Sequence, residues 1–140
     1  MAVLNIIDNI SEQLDAKAFS LCIFIDLSKA FDTIDHELLL KKLEIYGVRG
    51  FPLNWFKSYL SNRKQLVDID GKLSSFRNVT CGVPQGSILG PLLFILYIND
   101  IVHVSSLMRC ILFADDTNLL LNDTNLTNLI NKANTEIQKI

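Results

Sequence analysis

A chain of 140 residues is long enough for one domain with a real core and too short for two comfortable ones. With 49% hydrophobic and 20% charged residues it is a globular sequence and not a disordered one. The net charge of -2 does not by itself suggest a nucleic-acid partner, but residues 1–40 carry 2 basic and 7 acidic side chains, residues 41–77 carry 8 and 3, and residues 78–140 carry 3 and 5.

Val3, Leu4, Ile6, Ile7, Ile10 and Leu14 recur at helical spacing, which predicts an amphipathic helix over residues 2–15. Residues 18–25 form a continuous apolar run rich in aromatic and β-branched types, with the length of a strand buried on both faces, and the run ends at Asp26. Asp35 is a fitting N-cap for a helix carrying Leu38, Leu39, Leu40, Leu43 and Ile45, which stops at Gly47. A second helix covers Pro52 to Leu60. Gln65 to Asp70 alternates apolar and polar, Asp70-Gly71 is a hairpin turn, and the return strand is roughly Leu73 to Thr80. A loop with two glycines and a proline, Gly82 to Gly86, precedes a helix expected from about Ile88 to near Val104. A β-hairpin follows, with Asp115 and Asp116 at its bend, and residues 124–140 read as a last amphipathic helix. This order predicts an α+β fold, a small, mostly antiparallel sheet with helices packed on one face.

Two apolar strands ending in acids carry the chemistry. Asp-Asp is an ordinary turn dipeptide. If the strand ending at Asp26 neighbours the hairpin, however, three carboxylates converge at one sheet edge without a local Lys or Arg to compensate them. Hard oxygen donors in that number suit divalent metal, and two such ions form the usual clamp for phosphoryl transfer. Cys22, Cys81 and Cys110 are an odd count without metal spacing, which predicts reduced thiols and an intracellular protein. The longest apolar stretch, Ile88 to Ile98, is too short to span a bilayer, so no membrane association is expected.

Phe24-Ile25-Asp26-Leu27-Ser28-Lys29-Ala30-Phe31-Asp32, then Gly82-Val83-Pro84-Gln85-Gly86-Ser87-Ile88-Leu89-Gly90-Pro91, then Phe113-Ala114-Asp115-Asp116 resemble the successive palm motifs of reverse transcriptases, in the flavour of non-LTR (LINE-type) retrotransposons. Order and spacing match too, and the resemblance covers nearly the whole chain. It implies an RNA-directed DNA polymerase palm with part of the fingers, which transfers a deoxynucleotide to a primer 3′-hydroxyl on an RNA or DNA template. It implies that Asp26, Asp115 and Asp116, with the backbone carbonyl of Leu27, hold two Mg²⁺ ions, for which Mn²⁺ can substitute. It further implies that Ser28, Lys29, Ala30 and Phe31 cradle the triphosphate, with Phe31 as an aromatic gate against a 2′-hydroxyl. Gln85 and Gly86 would meet the incoming nucleotide and template strand. No obligate protein partner is expected.

The resemblance also implies limits. Residues 1–140 correspond to a partial domain, with most of the fingers and all of the thumb outside it, as in a truncated element or a partial gene. A catalytically inactive transposon remnant that at most binds nucleic acid is the alternative reading, and a metal-dependent nuclease or nucleotidyltransferase on a related palm is a third. Asp32, Asp35 and Asp100 read as loop and cap acids. His36 and His103 read as surface helix residues without a partner pattern. Lys57, Arg63, Lys64, Lys72 and Arg77 either face nucleic-acid phosphates or only solvate helix and strand faces.

Overall fold

Most of the expected elements form, but the strand expected to be buried on both faces, Phe19–Asp26, lies at a sheet edge and has no fully buried residue. The computed structural model describes residues 2–27 and 29–140, which divide into two units. One unit joins the residues up to Leu27 with Asn99–Ile140, and the other is Lys29–Ile98.

In the first unit, helix α1 (Ala2–Asp15) leads through a turn at Lys17 into strand β1 (Phe19–Asp26). The later part of the chain supplies a 3-10 turn (Asn99–His103) and strand β6 (Arg109–Phe113). Strand β7 (Asp116–Asp123) and helix α5 (Leu126–Ile137) complete the unit. The sheet is antiparallel with the order β1-β7-β6, so β7 is central. A central strand covered on both faces buries consecutive residues, and Leu119, Leu120 and Leu121 are all buried. Leu119 and Leu121 point into a core with Met108, Leu129 and Ala133, against which Leu21, Ile23, Ile25 and Cys110 pack. That core fixes α5 on one face. On the other, the Asn122 amide of β7 donates to the Asn9 side chain of α1 at 3.2 Å. The α+β class and the antiparallel sheet are as expected, and the two helices of this unit divide between its faces.

In the second unit, helix α2 (His36–Ile45) starts where Asp35 caps it, its carboxylate accepting from the Leu38 N–H at 2.8 Å. Helix α3 (Phe51–Leu60) has Pro52 in its first turn. Helix α4 (Leu89–Ile98) is apolar all round, and α2 packs against both α3 and α4. Ile34, Leu39, Leu43, Leu60 and Leu93 are almost completely buried and form this unit's apolar interior. Between α3 and α4 the expected hairpin appears as two short ladders. Strand β2 (Arg63–Gln65) pairs with β5 (Arg77–Val79), and β3 (Asp68–Ile69) pairs with β4 (Lys72–Leu73). Asp70 and Gly71 both take positive φ, as a two-residue hairpin turn requires. The ladder breaks where Ser74 closes on Val67 with its side chain as well as its backbone.

The helix expected to run from Ile88 to Val104 is shorter. It ends at Ile98, and the 3-10 turn takes over at Asn99. Asn and Asp side chains compete for the backbone, and Asn99-Asp100 is where the regular helix stops.

Candidate active site

β1 ends at Asp26 and β7 begins at Asp116, and these two residues face each other directly in the antiparallel ladder. Phe113 is the partner of Asp116 on the other side, so Asp26, Asp116 and Phe113 make one row across the end of the sheet. Beside this row lies an apolar hollow of about 260 Å³, lined by Val3, Ile6, Phe24, Phe113 and Asp116 among others. Asp115 occupies the two-residue turn between β6 and β7, after Ala114 at a φ of 52°. A residue with a Cβ held there stores about 1–3 kcal/mol of strain, which is characteristic of functional turns. The expectation that both acids sit at the bend is thereby corrected. One sits in the turn, and the other opens the strand because it pairs with Asp26.

Like charges directly opposite in a ladder destabilise it. Among the described residues, none of the three carboxylates has a salt-bridge or hydrogen-bond partner. Hard oxygen donors left unneutralised fit a divalent cation in kind. Among the described residues no three His, Cys, Asp or Glu side chains are gathered closely enough to hold a metal together. The ladder therefore brings together the strand ends that carry Asp26 and Asp116, while the carboxylates themselves are not gathered. Leu27 follows Asp26 outside the strand and is half-buried. Ser28 lies outside the described residues.

The second unit holds the remaining candidates. Lys29 is exposed at a φ of 56°, Ala30 is buried, and Phe31 is half-buried with its ring 4.8 Å from that of Phe94 on α4. This short loop is tied to the one from Gly82 to Gly86. The Gly82 N–H donates to Ile34 O at 2.7 Å, and the Val83 N–H to Phe31 O at 2.8 Å. The Gln85 amide donates to the Asp32 carboxylate at 3.0 Å, and His36 Nε2 donates to Gly82 O at 2.7 Å. Asp32 is a loop acid, as expected, and holds Gln85; one expectation is corrected, since His36 has a partner. These contacts join residues 53 and 46 positions apart, so no local pattern announces them. The far end of the loop closes on α4. Ser87 Oγ donates to Pro84 O and accepts from the Gly90 N–H. Gly86, at a φ of 78°, has open space where a Cβ would point.

The cysteines behave as expected of free thiols. Burial pushes the Cys22 and Cys110 thiols above their ordinary value, which keeps them protonated and unreactive. Cys81 is exposed.

An antiparallel sheet with acids at the paired ends of β1 and β7, in a chain with a Pro-Gln-Gly loop before an apolar helix, is consistent with part of a polymerase palm. The chain belongs to the reverse transcriptase (RNA-dependent DNA polymerase) family, whose pattern matches residues 4–139. It is 34% identical over 122 residues to the probable RNA-directed DNA polymerase from transposon BS of Drosophila melanogaster, covering 80% of this chain. It is 36% identical over 118 residues to the probable RNA-directed DNA polymerase from transposon X-element of the same species, covering 79%. To the RNA-directed DNA polymerase from mobile element jockey, also of that species, it is 37% identical over 92 residues, covering 64%. The matched regions are 13%, 13% and 10% of those relatives' own lengths. Among the described residues, no helix is long and apolar enough to cross a membrane.

Proposed function

We propose that this chain is the palm portion of a retrotransposon RNA-directed DNA polymerase, which adds deoxynucleotides to a primer 3′-hydroxyl on an RNA or DNA template. The ladder register that sets Asp26 against Asp116 is the observation that carries the reading, because it brings two acid-bearing strand ends side by side, where like charges would destabilise the ladder unless a cation offset them. Asp26, Asp115, Asp116 and the Leu27 carbonyl would hold divalent cations, Mg²⁺ by preference, with Mn²⁺ able to replace it. When bound, two such ions supply charge neutralisation to the triphosphate and acidify the attacking hydroxyl.

The protein's own groups do the rest. The Phe31 ring, braced by Phe94, is a rigid wall suited to excluding a 2′-hydroxyl. Gln85 has its amide nitrogen committed to Asp32, which leaves its carbonyl oxygen to accept from a nucleotide or template base. Gly86 admits backbone approach because nothing fills the space above it. The backbone N–H groups of Lys29 and Ala30 would cradle the triphosphate oxygens.

Primer extension on an RNA template with Mg²⁺ tests the proposal. Metal-dependent incorporation by the 140-residue chain that Asp115→Ala lowers by roughly a thousandfold, the equivalent of several kcal/mol of charge stabilisation, would support the polymerase reading for this stretch. Template binding without metal-dependent incorporation would instead support the inactive-remnant reading.

A further inference from the structure

Helix α1 lies on the sheet with much of its apolar surface turned outward. Among its described residues Asn9 alone is buried, while Val3, Leu4, Ile7 and Leu14 are each more than half exposed. On the opposite face, α5 buries Leu129 and Ala133 in the apolar core. Apolar burial is what ordinarily holds a helix to a sheet, so the two helices are held unequally. The surface beneath α1 is polar as well. Ser20 and Asn122 are direct partners in the ladder, and Asn122 donates to Asn9. Its own Oδ1 and the Ser20 Oγ are buried without a hydrogen-bond partner. Water would satisfy both atoms if α1 moved away.

The same face carries acids. Side chains alternate along a strand, so Ser20, Cys22 and Asp26 of β1 share the α1 face with Asp116, Leu120 and Asn122 of β7. From the turn at Lys17 the 14 residues of α1 reach back about 21 Å. That brings Ala2, Val3 and Ile6 to the acid end, where they wall the hollow beside Asp116.

We propose that α1 is a flap. It lifts from the sheet as a unit while β1, β7, β6 and α5 stay folded, and in lifting it bares the face that carries Asp26 and Asp116. A helix that buries an asparagine over two unpaired polar atoms belongs to the low-stability end of a fold. Lifting also uncovers Leu120, which is 2% exposed, so the lowered position prevails and the raised one is a minority. With the flap down, the hollow beside the acid row holds about 260 Å³; with it up, one wall is gone and a larger molecule can reach the row. That control of access rests on the polymerase reading, whereas the lifting itself does not.

The chain holds its own reporters. Cys22 lies on the α1 face and Cys110 packs against the α5 core, so one free thiol marks each face. With the exposed Cys81 removed by Cys81→Ser, maleimide labelling read by mass spectrometry separates the two rates. Cys22 should react at least about tenfold faster than Cys110, with a shallower urea dependence, because lifting one helix exposes less surface than global unfolding. Asn9→Ala removes the acceptor for Asn122 and should speed Cys22 roughly fivefold. Ser20→Ala removes a buried hydroxyl that has no partner and should slow it by a similar factor. Neither substitution should move Cys110. Equal rates at the two thiols would overturn the proposal, since α1 would then leave only with the rest of the fold. A Cys22 rate indifferent to both substitutions would overturn it too, because static access at a strand edge would explain the labelling. So would a parallel change at Cys110. No nucleotide is incorporated in any of these measurements, so the flap and the polymerase reading fail separately.

Discussion

Gly82 and Gly86 lie in the same loop with nearly the same backbone, φ of 82° and 78°, yet they are not equivalent. A Cβ on Gly82 would come within 2.7 Å of the Asp32 carbonyl oxygen, whereas one on Gly86 would meet nothing within 4 Å. Gly86→Ala should therefore cost only backbone strain, about 1 kcal/mol at the low end of its range. Gly82→Ala adds a clash with backbone that cannot move without losing the Gly82–Ile34, Val83–Phe31 and His36–Gly82 hydrogen bonds, and should cost roughly 3 kcal/mol. Urea unfolding of both variants reads the difference as a shift in midpoint at constant slope. Equal losses would mean that the two loops are not locked together as described. The sequence shows why Gly86 is a glycine, since a Pro-Gln-Gly turn asks for one. It does not show why Gly82 is, because the neighbour that forbids a side chain is Asp32, far away along the chain.

Helix α5 is held at both ends by charge. Asp123 accepts from Lys132 and from the Asn125 N–H, and Glu136, near the C-terminus, pairs with Lys139. The Lys132 hydrogen bond foremost holds the Asp123 carboxyl below its ordinary value of 3.8, and the Lys139 hydrogen bond, with Ser105, does the same to Glu136 below 4.5. Depressed values mean that the unfolded chain binds more protons between the folded and ordinary values. The stabilisation is therefore complete above about pH 5 and is lost as pH falls through the folded values. A urea midpoint followed against pH should be flat above that point and drop below 4.5, and Asp123→Asn should flatten part of the drop. An unchanged acid limb in that variant would remove Asp123 from the account. Elements such as α5 were legible because cap and periodicity are local: Asn125 caps it, as Asp35 caps α2. The end of α4 at Ile98 and the broken hairpin around Val67 were not, because a 3-10 turn and a side-chain closure by Ser74 override simple periodicity there. For the site, the three acids could be read from sequence as strand-end residues. The register that sets Asp26 against Asp116 and leaves Asp115 in the turn emerges only from the ladder.

Across the whole chain, a net charge of -2 argues against a polyanion partner only if charge acts as a sum. At physiological salt exposed charges are felt over about 8 Å, so the local arrangement decides. Lys64 and Lys139 separate the two views. Replacing either by Gln takes the net charge from -2 to -3. Lys139 already has its charge matched by Glu136 at 2.6 Å, while Lys64 is exposed at a cavity shared with Arg63 and Lys29. Lys64→Gln should weaken oligonucleotide binding and reduce the salt slope by about 0.9, the value for one phosphate contact on duplex DNA and somewhat less on a single strand. Lys139→Gln should leave both unchanged, and Lys64→Arg should restore them. If the two Gln variants behave alike, the basic middle of the chain is only a solvated surface, and any affinity for nucleic acid follows net charge rather than a built site.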